Sequence, residues 1–295
     1  MADKHSEVSE MGSESTVIGR RSMLKATGAT AVAATGLAAT AGSASAQWGS
    51  SIEVIEVEDG GGWFGSGGWS ADGELPVVDE LFVFIHGWFG NTTVSSQASD
   101  VLGAMEDGGY SADAAAAIQW PATTINFFGA QSDTEDVGDV TAGLIEDFKD
   151  AGGGNVRLVG HSLGGRCVLW TAAKIGSGYT IDTVAPLGAA ADGSEACDSP
   201  WNSGLSNAGV VRNYHSENDS TVGGAYGGIS DTALGNEGAG CDPATNYVDV
   251  DVTDTVGSHF TFLGDSTVGE NLANNLDSTE EGETGSGGGG WFGWF

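Results

Sequence analysis

Apolar and polar positions along the chain follow two different periods. Residues 51–59, SIEVIEVED, switch between apolar and acidic side chains, which is the period of a half-buried strand. Residues 80–91, ELFVFIHGWFGN, begin with an apolar run that predicts a fully buried strand running into a turn. Helical spacing over 95–109 comes next, then a short strand over 115–121 ending at Pro121. An amphipathic helix is predicted over 133–153, stopped by glycines. NVRLVGHS predicts a strand and LGGRCVLWTAAKIG the helix after it. Strands follow over 179–190, 208–216 and 246–254, with a short helix near 231–236 and a closing helix over 263–276. In the last strand Val248, Val250 and Val252 share one face, and Asp249 and Asp251 are expected on a solvated one. Strands alternating with helices predict an α/β fold with a mostly parallel central sheet, helices on both faces and no separate lid domain.

The flanks break this pattern. Residues 1–46 carry Arg20 and Arg21, a weakly hydrophobic Ala/Gly/Thr run and then Ala44-Ser45-Ala46. That order resembles a twin-arginine export signal cut before Gln47, and it implies export of a folded chain to an extracellular location. The run is too poor in Leu, Ile and Phe to predict a stable transmembrane anchor. Residues 47–79 form a Gly/aromatic-rich segment, and 80–276 hold the predicted strands and helices of the main domain. Residues 277–295, DSTEEGETGSGGGGWFGWF, are expected to be a disordered acidic and glycine-rich linker with an aromatic tail. The tripeptide WFG occurs at 63–65, 88–90 and 291–293, at irregular spacing that predicts no repeat architecture.

Charge narrows the partners. The chain holds 41 acidic and 9 basic residues, a net charge of −32, which repels nucleic acid and anionic membranes. The acids are scattered among apolar segments, so the reading is a folded protein with an acidic shell, resembling those of salt-loving microbes. Molar salt screens such a shell, with a Debye length of about 3 Å at 1 M. Cys197 and Cys241 lie in Gly/Asp-rich stretches and form the candidate disulfide of an exported chain. Cys167 is expected to be a buried small hydrophobe.

Chemistry concentrates at residues 155–167, NVRLVGHSLGGRC. Gly160 and Gly164 flank Ser162 at the spacing of a nucleophile elbow, where a strand turns sharply into a helix with serine at the apex. A serine hydroxyl needs a base to take its proton, and the elbow architecture orders its partners as serine, acid, histidine. His86 comes too early in that order, His161 lies inside the elbow and His5 lies in the leader, so His259 is the first candidate base and His215 the second. Asp219 is the first candidate acid and Glu217 the second. Backbone N–H groups of Leu163 and of Trp88, after the buried strand and Gly87, are the candidate oxyanion donors.

VFIHGWFG, IQWPA, VRLVGHSLGGR, VAPLGAA, NYHSENDSTV and GSHFTFL together resemble an α/β-hydrolase of the secreted lipase/esterase kind, over about residues 80 to 276. The resemblance implies an acyl-enzyme serine hydrolase that cleaves carboxylic esters with a Ser162–Asp219–His259 triad and needs neither metal nor organic cofactor. The implied partner is a small-molecule, lipid or polymer ester. A single His-Gly-X loop goes, in such families, more often with medium or long acyl chains. The first strands of the family's sheet have no counterpart, so the sheet is expected to be reduced on its N-terminal side. The rival reading is a non-catalytic secreted surface or polymer-binding protein on the same scaffold, gripping through the aromatic patches at 63–69 and 291–295.

Overall fold

The computed structural model describes residues 51–61, 68–122, 126–226 and 232–284. The proposed export signal, the WFG segment at 63–65 and the aromatic tail at 291–295 lie outside the described residues.

Eight strands form the sheet: β1 (Glu53–Asp59), β2 (Trp69–Ala71), β3 (Glu80–Ile85), β4 (Ala114–Gln119), β5 (Asn155–His161), β6 (Ile181–Leu187), β7 (Ala208–His215) and β8 (Tyr247–Asp251). Their order is β2-β1-β4-β3-β5-β6-β7-β8, and every pairing is parallel except that of β1 with β2. The helices are α1 (Val94–Asp107), α2 (Phe127–Asp150), α3 (Leu163–Lys174), α4 (Asn202–Leu205), α5 (Ser220–Tyr226), α6 (Leu234–Glu237) and α7 (Ser266–Asn274). The chain therefore has an α/β fold.

The apolar run of β3 explains the two layers. Successive side chains point to opposite faces of a strand. Leu81, Val83 and Ile85 pack with Val137, Ile145 and Phe148 of α2 and with Val168 of α3. Phe82 and Phe84 pack on the other face with Val101 and Met105 of α1 and with Val268 and Leu272 of α7. A strand buried on both faces has no polar side to show, which is why its sequence does not alternate.

Four expectations are corrected. The sheet is not reduced on its N-terminal side. β1 lies within residues 47–79 and pairs with β4, matching Val54 with Ala117. Its alternation buries Ile55 and Val57, so the sheet begins at Glu53 and not after residue 80. The linker expected from residue 277 is held against the domain as far as Glu283. Arg157 Nη1 lies 2.6 Å from Asp277. Arg212, wholly buried, donates to the carbonyls of Ser278, Glu280 and Glu281 at 2.6–2.8 Å. A buried guanidinium needs acceptors, and the tail backbone supplies them. Asp251 is exposed as expected, but Asp249 is only half exposed and engaged in hydrogen bonds. Asp249 accepts from Asn213 Nδ2, the Tyr247 hydroxyl and Ala239 N. Helix α2 starts at Phe127, earlier than the predicted 133.

Beyond residue 46 the chain has only five Lys and Arg residues, and all of them are engaged. Lys149 pairs with Asp182, Arg157 with Glu80 and Asp277, Arg166 with Glu195 and Lys174 with Glu135, and Arg212 holds the tail. Cys197 and Cys241 are joined in a disulfide. Among the described residues no helix is long and apolar enough to cross a membrane.

Candidate active site

Ser162 is the single residue between β5 and α3, and it holds φ 60° and ψ −121°. Such backbone is costly for a residue that carries a Cβ. Hydrogen bonds fix it: its N–H donates to Leu187 O at 3.0 Å, and its carbonyl accepts from Gly165 N at 2.9 Å and Ala190 N at 3.0 Å. The elbow glycines answer a packing demand. A Cβ on Gly160 would collide with the backbone of Gly164, and one on Gly164 with the Ile85 carbonyl. The first turn of α3 thus presses against the ends of β5 and β3.

Gly87, in the turn after β3, makes an equally close approach. A Cβ there would stand 2.6 Å from Ser162 Cβ and 3.2 Å from its hydroxyl oxygen. His86 sets the orientation of this turn. Its Nε2 lies 3.1 Å from Trp120 N, a donor only, so Nε2 accepts and Nδ1–H donates to Gly87 O at 2.7 Å. Burial lowers the His86 pKa to about 4, which keeps the ring in the neutral form this pattern requires. In a trans peptide the C=O and N–H point in opposite directions. With Gly87 C=O turned toward His86, the Trp88 N–H points away from that ring. Leu163 N–H belongs to the first turn of α3, where the helix offers no acceptor. Of the two residues predicted to supply oxyanion donors, Leu163 follows Ser162 directly in the chain and Trp88 lines the same cavity as Ser162.

His259 lies between β8 and the 3-10 turn Thr261–Gly264, and it lines the same cavity as Ser162. Its Nδ1 is 2.6 Å from Oδ2 of Asp219, a wholly buried residue at the start of α5. The other Asp219 oxygen accepts from Thr221 N and Val222 N, each at 3.1 Å. The carboxylate is thus held by the helix end and turned to the ring. Glu217 is exposed, and its backbone N–H donates to Thr253 Oγ1. His215 faces Asn236 O at 3.3 Å and does not line the cavity.

His161 is a contributor that the sequence reading did not identify. Its Nε2 lies 2.8 Å from the His259 carbonyl, which can only accept. Burial, with the His259 ring as a smaller cause, lowers its pKa to about 3. The two ring centroids are 4.6 Å apart. A neutral His161 thus anchors the backbone of the His259 loop without adding a second positive charge beside that ring.

The cavity has a volume of about 360 Å³. Trp88, Phe89, Phe127, Val222, Tyr226 and Phe260 supply much of its wall, and no Asp, Glu, Lys or Arg lines it among the described residues. Phe89 holds φ 58°, a second strained position at this end of the sheet. Cys167 is buried in the core of α3, and burial pushes its thiol well above the usual range, so it takes no part in the site. Among the described residues no group of three His, Cys, Asp or Glu is arranged to hold a metal ion.

No family model matches the chain. No curated protein matches it either. Among solved structures it is similar to the product of gene lin2722 from Listeria innocua, with 17% sequence identity and a TM-score of 0.44, over 71% of this chain and 97% of that one.

Proposed function

We propose that the protein is a serine hydrolase of the α/β-hydrolase kind that cleaves carboxylic esters through an acyl-enzyme. The observation that carries this reading is the 2.6 Å contact between buried Asp219 and His259, on the cavity that strained Ser162 also lines. Nucleophile, acid and base follow β5, β7 and β8 in that order. They sit at the strand ends where open α/β sheets bind their ligands.

The chemistry follows from the hydrogen bonds. Asp219 accepts from Nδ1–H of His259, which leaves the Nε2 lone pair to take the Ser162 proton. Ser162 Oγ attacks the ester carbonyl, and the N–H groups of Leu163 and Trp88 receive the oxyanion. The imidazolium is stabilised by Asp219 and returns its proton to the departing alcohol. Water then attacks the acyl-enzyme by the same route, and the carboxylic acid leaves. An uncharged, aromatic wall suits a neutral acyl or alkoxy group. The features of residues 1–46 support an exported enzyme.

Hydrolysis of p-nitrophenyl esters of graded acyl length, measured in molar salt, tests the proposal. Ser162→Ala is expected to fold normally and to lose kcat by about 10⁴-fold or more. Undiminished turnover in that variant would remove the assignment. A folded wild-type protein that neither turns over nor is labelled at Ser162 by a fluorophosphonate would favour the binding-protein reading, which the exposed Phe89 and Phe260 at the cavity mouth also suit.

A further inference from the structure

The cavity at Ser162 has a neighbour. A second hollow of about 240 Å³ is lined by Phe128, Gln131, Ser132, Glu135, Arg166 and Trp170. Arg166 stands four residues beyond Ser162 in the sequence, on α3. Between the two hollows runs a band of rings in sequential contact: Phe89 with Trp88 at 4.3 Å, Trp88 with Phe127 at 5.2 Å and Phe127 with Phe128 at 6.0 Å between centroids. Phe128 is 78% exposed, Phe260 66% and Phe89 54%. These three are the exposed aromatic rings among the large hydrophobic side chains of the described residues.

The surroundings define what such a band can hold. The first cavity bears no charged side chain, in a chain of net charge −32. In the second, Glu135 is paired with Lys174 and Arg166 with Glu195, so its charges are matched in pairs. An anionic membrane is repelled by the shell as a whole. The occupant is therefore neutral. It is also built from short units, because each hollow lies near or below the lower end of the volumes that take a whole small ligand. It is an acceptor of hydrogen bonds. Gln131 and Ser132, both accessible, offer it an amide N–H and a hydroxyl as donors.

We propose that a neutral polyester of short repeat lies along this band. One unit is presented to Ser162 and the adjoining unit occupies the second hollow, where its ester carbonyl accepts from the donors there. The proposal rests on the ester-hydrolase reading of Ser162 and names its substrate class.

Phe128→Ser separates the two ideas, because Phe128 is exposed and does not line the Ser162 cavity. In molar salt the variant should hydrolyse soluble p-nitrophenyl butyrate within about twofold of wild type, while its release of acid from amorphous poly(lactic acid) film falls by about tenfold. Adsorption to the same film, measured in the Ser162→Ala background, should fall by a similar factor. Gln131→Ala should lower film hydrolysis more weakly in the same direction. Equal film hydrolysis and adsorption with and without Phe128 would overturn the proposal, as would equal adsorption to phosphatidylcholine vesicles. Phe128-dependent adsorption by a protein inert toward the soluble ester would instead overturn the hydrolase reading and keep the track as a binding surface.

Discussion

Where the strands of the sheet finish, buried histidines do the positioning and are held neutral. Toward the end where they begin, buried arginines do it and are held charged. His86 orients the Gly87–Trp88 peptide, and His161 anchors the His259 loop, each through one ring N–H given to a backbone carbonyl. Arg157 ties the starts of β3 and β6 to Leu276 and Asp277, and Arg212 ties β7 to α7 and to the tail carbonyls. The difference follows from what each end must tolerate. A neutral donor leaves the cavity free of fixed charge, so the only positive charge formed there during turnover would be on His259. The tail end needs no such freedom, and a guanidinium with its five donors can hold several chain segments at once. Strain separates the two ends as well: among the described residues the non-glycine positions at positive φ are Ser162 and Phe89, and both lie at the cavity.

The largest effects should come from breaking the charge balance behind His259. Asp219→Asn is expected to cut kcat by about 10³–10⁴-fold, because an amide holds the ring in the wrong tautomer. Glu217→Gln should stay near wild type. Equal losses in both variants, measured with a short p-nitrophenyl ester, would refute the assignment of the acid.

At the other end, Arg212→Met should leave turnover per folded molecule nearly unchanged and lower unfolding free energy by about 3–5 kcal/mol. Denaturant unfolding in molar salt measures this. A variant as stable as the parent would show that the tail contacts contribute nothing to stability.

Acid should then expose the histidine end selectively. His86 and His161 have folded pKa values of about 4 and about 3, below the ordinary 6.5. The unfolded chain therefore binds more protons, and stability rises with pH across that interval. The contribution is complete above pH 6.5 and is lost as pH falls toward the folded values, by about 2 kcal/mol for each histidine near pH 5. Thermal unfolding against pH should show this slope, and a His161→Phe/His86→Phe double variant, if it folds, should flatten it.

The smallest effect expected is that of His161→Phe on catalysis. The ring volume is kept and the N–H is lost, so kcat should fall by about tenfold with KM little altered. A wild-type kcat with an unchanged pH profile would show that the His259 loop does not depend on this anchor.

The Ser162 turn and the order of Ser162, Asp219 and His259 after successive strands were legible because each depends on local chemistry. Glycine at 160 and 164 is a steric necessity that any such turn carries, and the alternating strands and helices place partners after later strands. The alternation of β1 was equally plain, but not its place in the sheet, since a half-buried strand reads the same at an edge, in an appendage or beside β4. The roles of His86 and His161 were hidden because a histidine becomes a neutral donor only through burial and a facing carbonyl, both supplied by distant segments.

The sequence by itself determined the periodicities, the elbow, the acidic balance and the short set of residues able to form a triad. Tertiary structure decided that Asp219 and not Glu217 faces His259, that the carbonyls of Ser278, Glu280 and Glu281 are needed by Arg212, and that four rings join two hollows. The physical reason is range. Side-chain period and glycine sterics act over a few residues, whereas hydrogen-bond partners and desolvation are set by whichever segments the fold brings together.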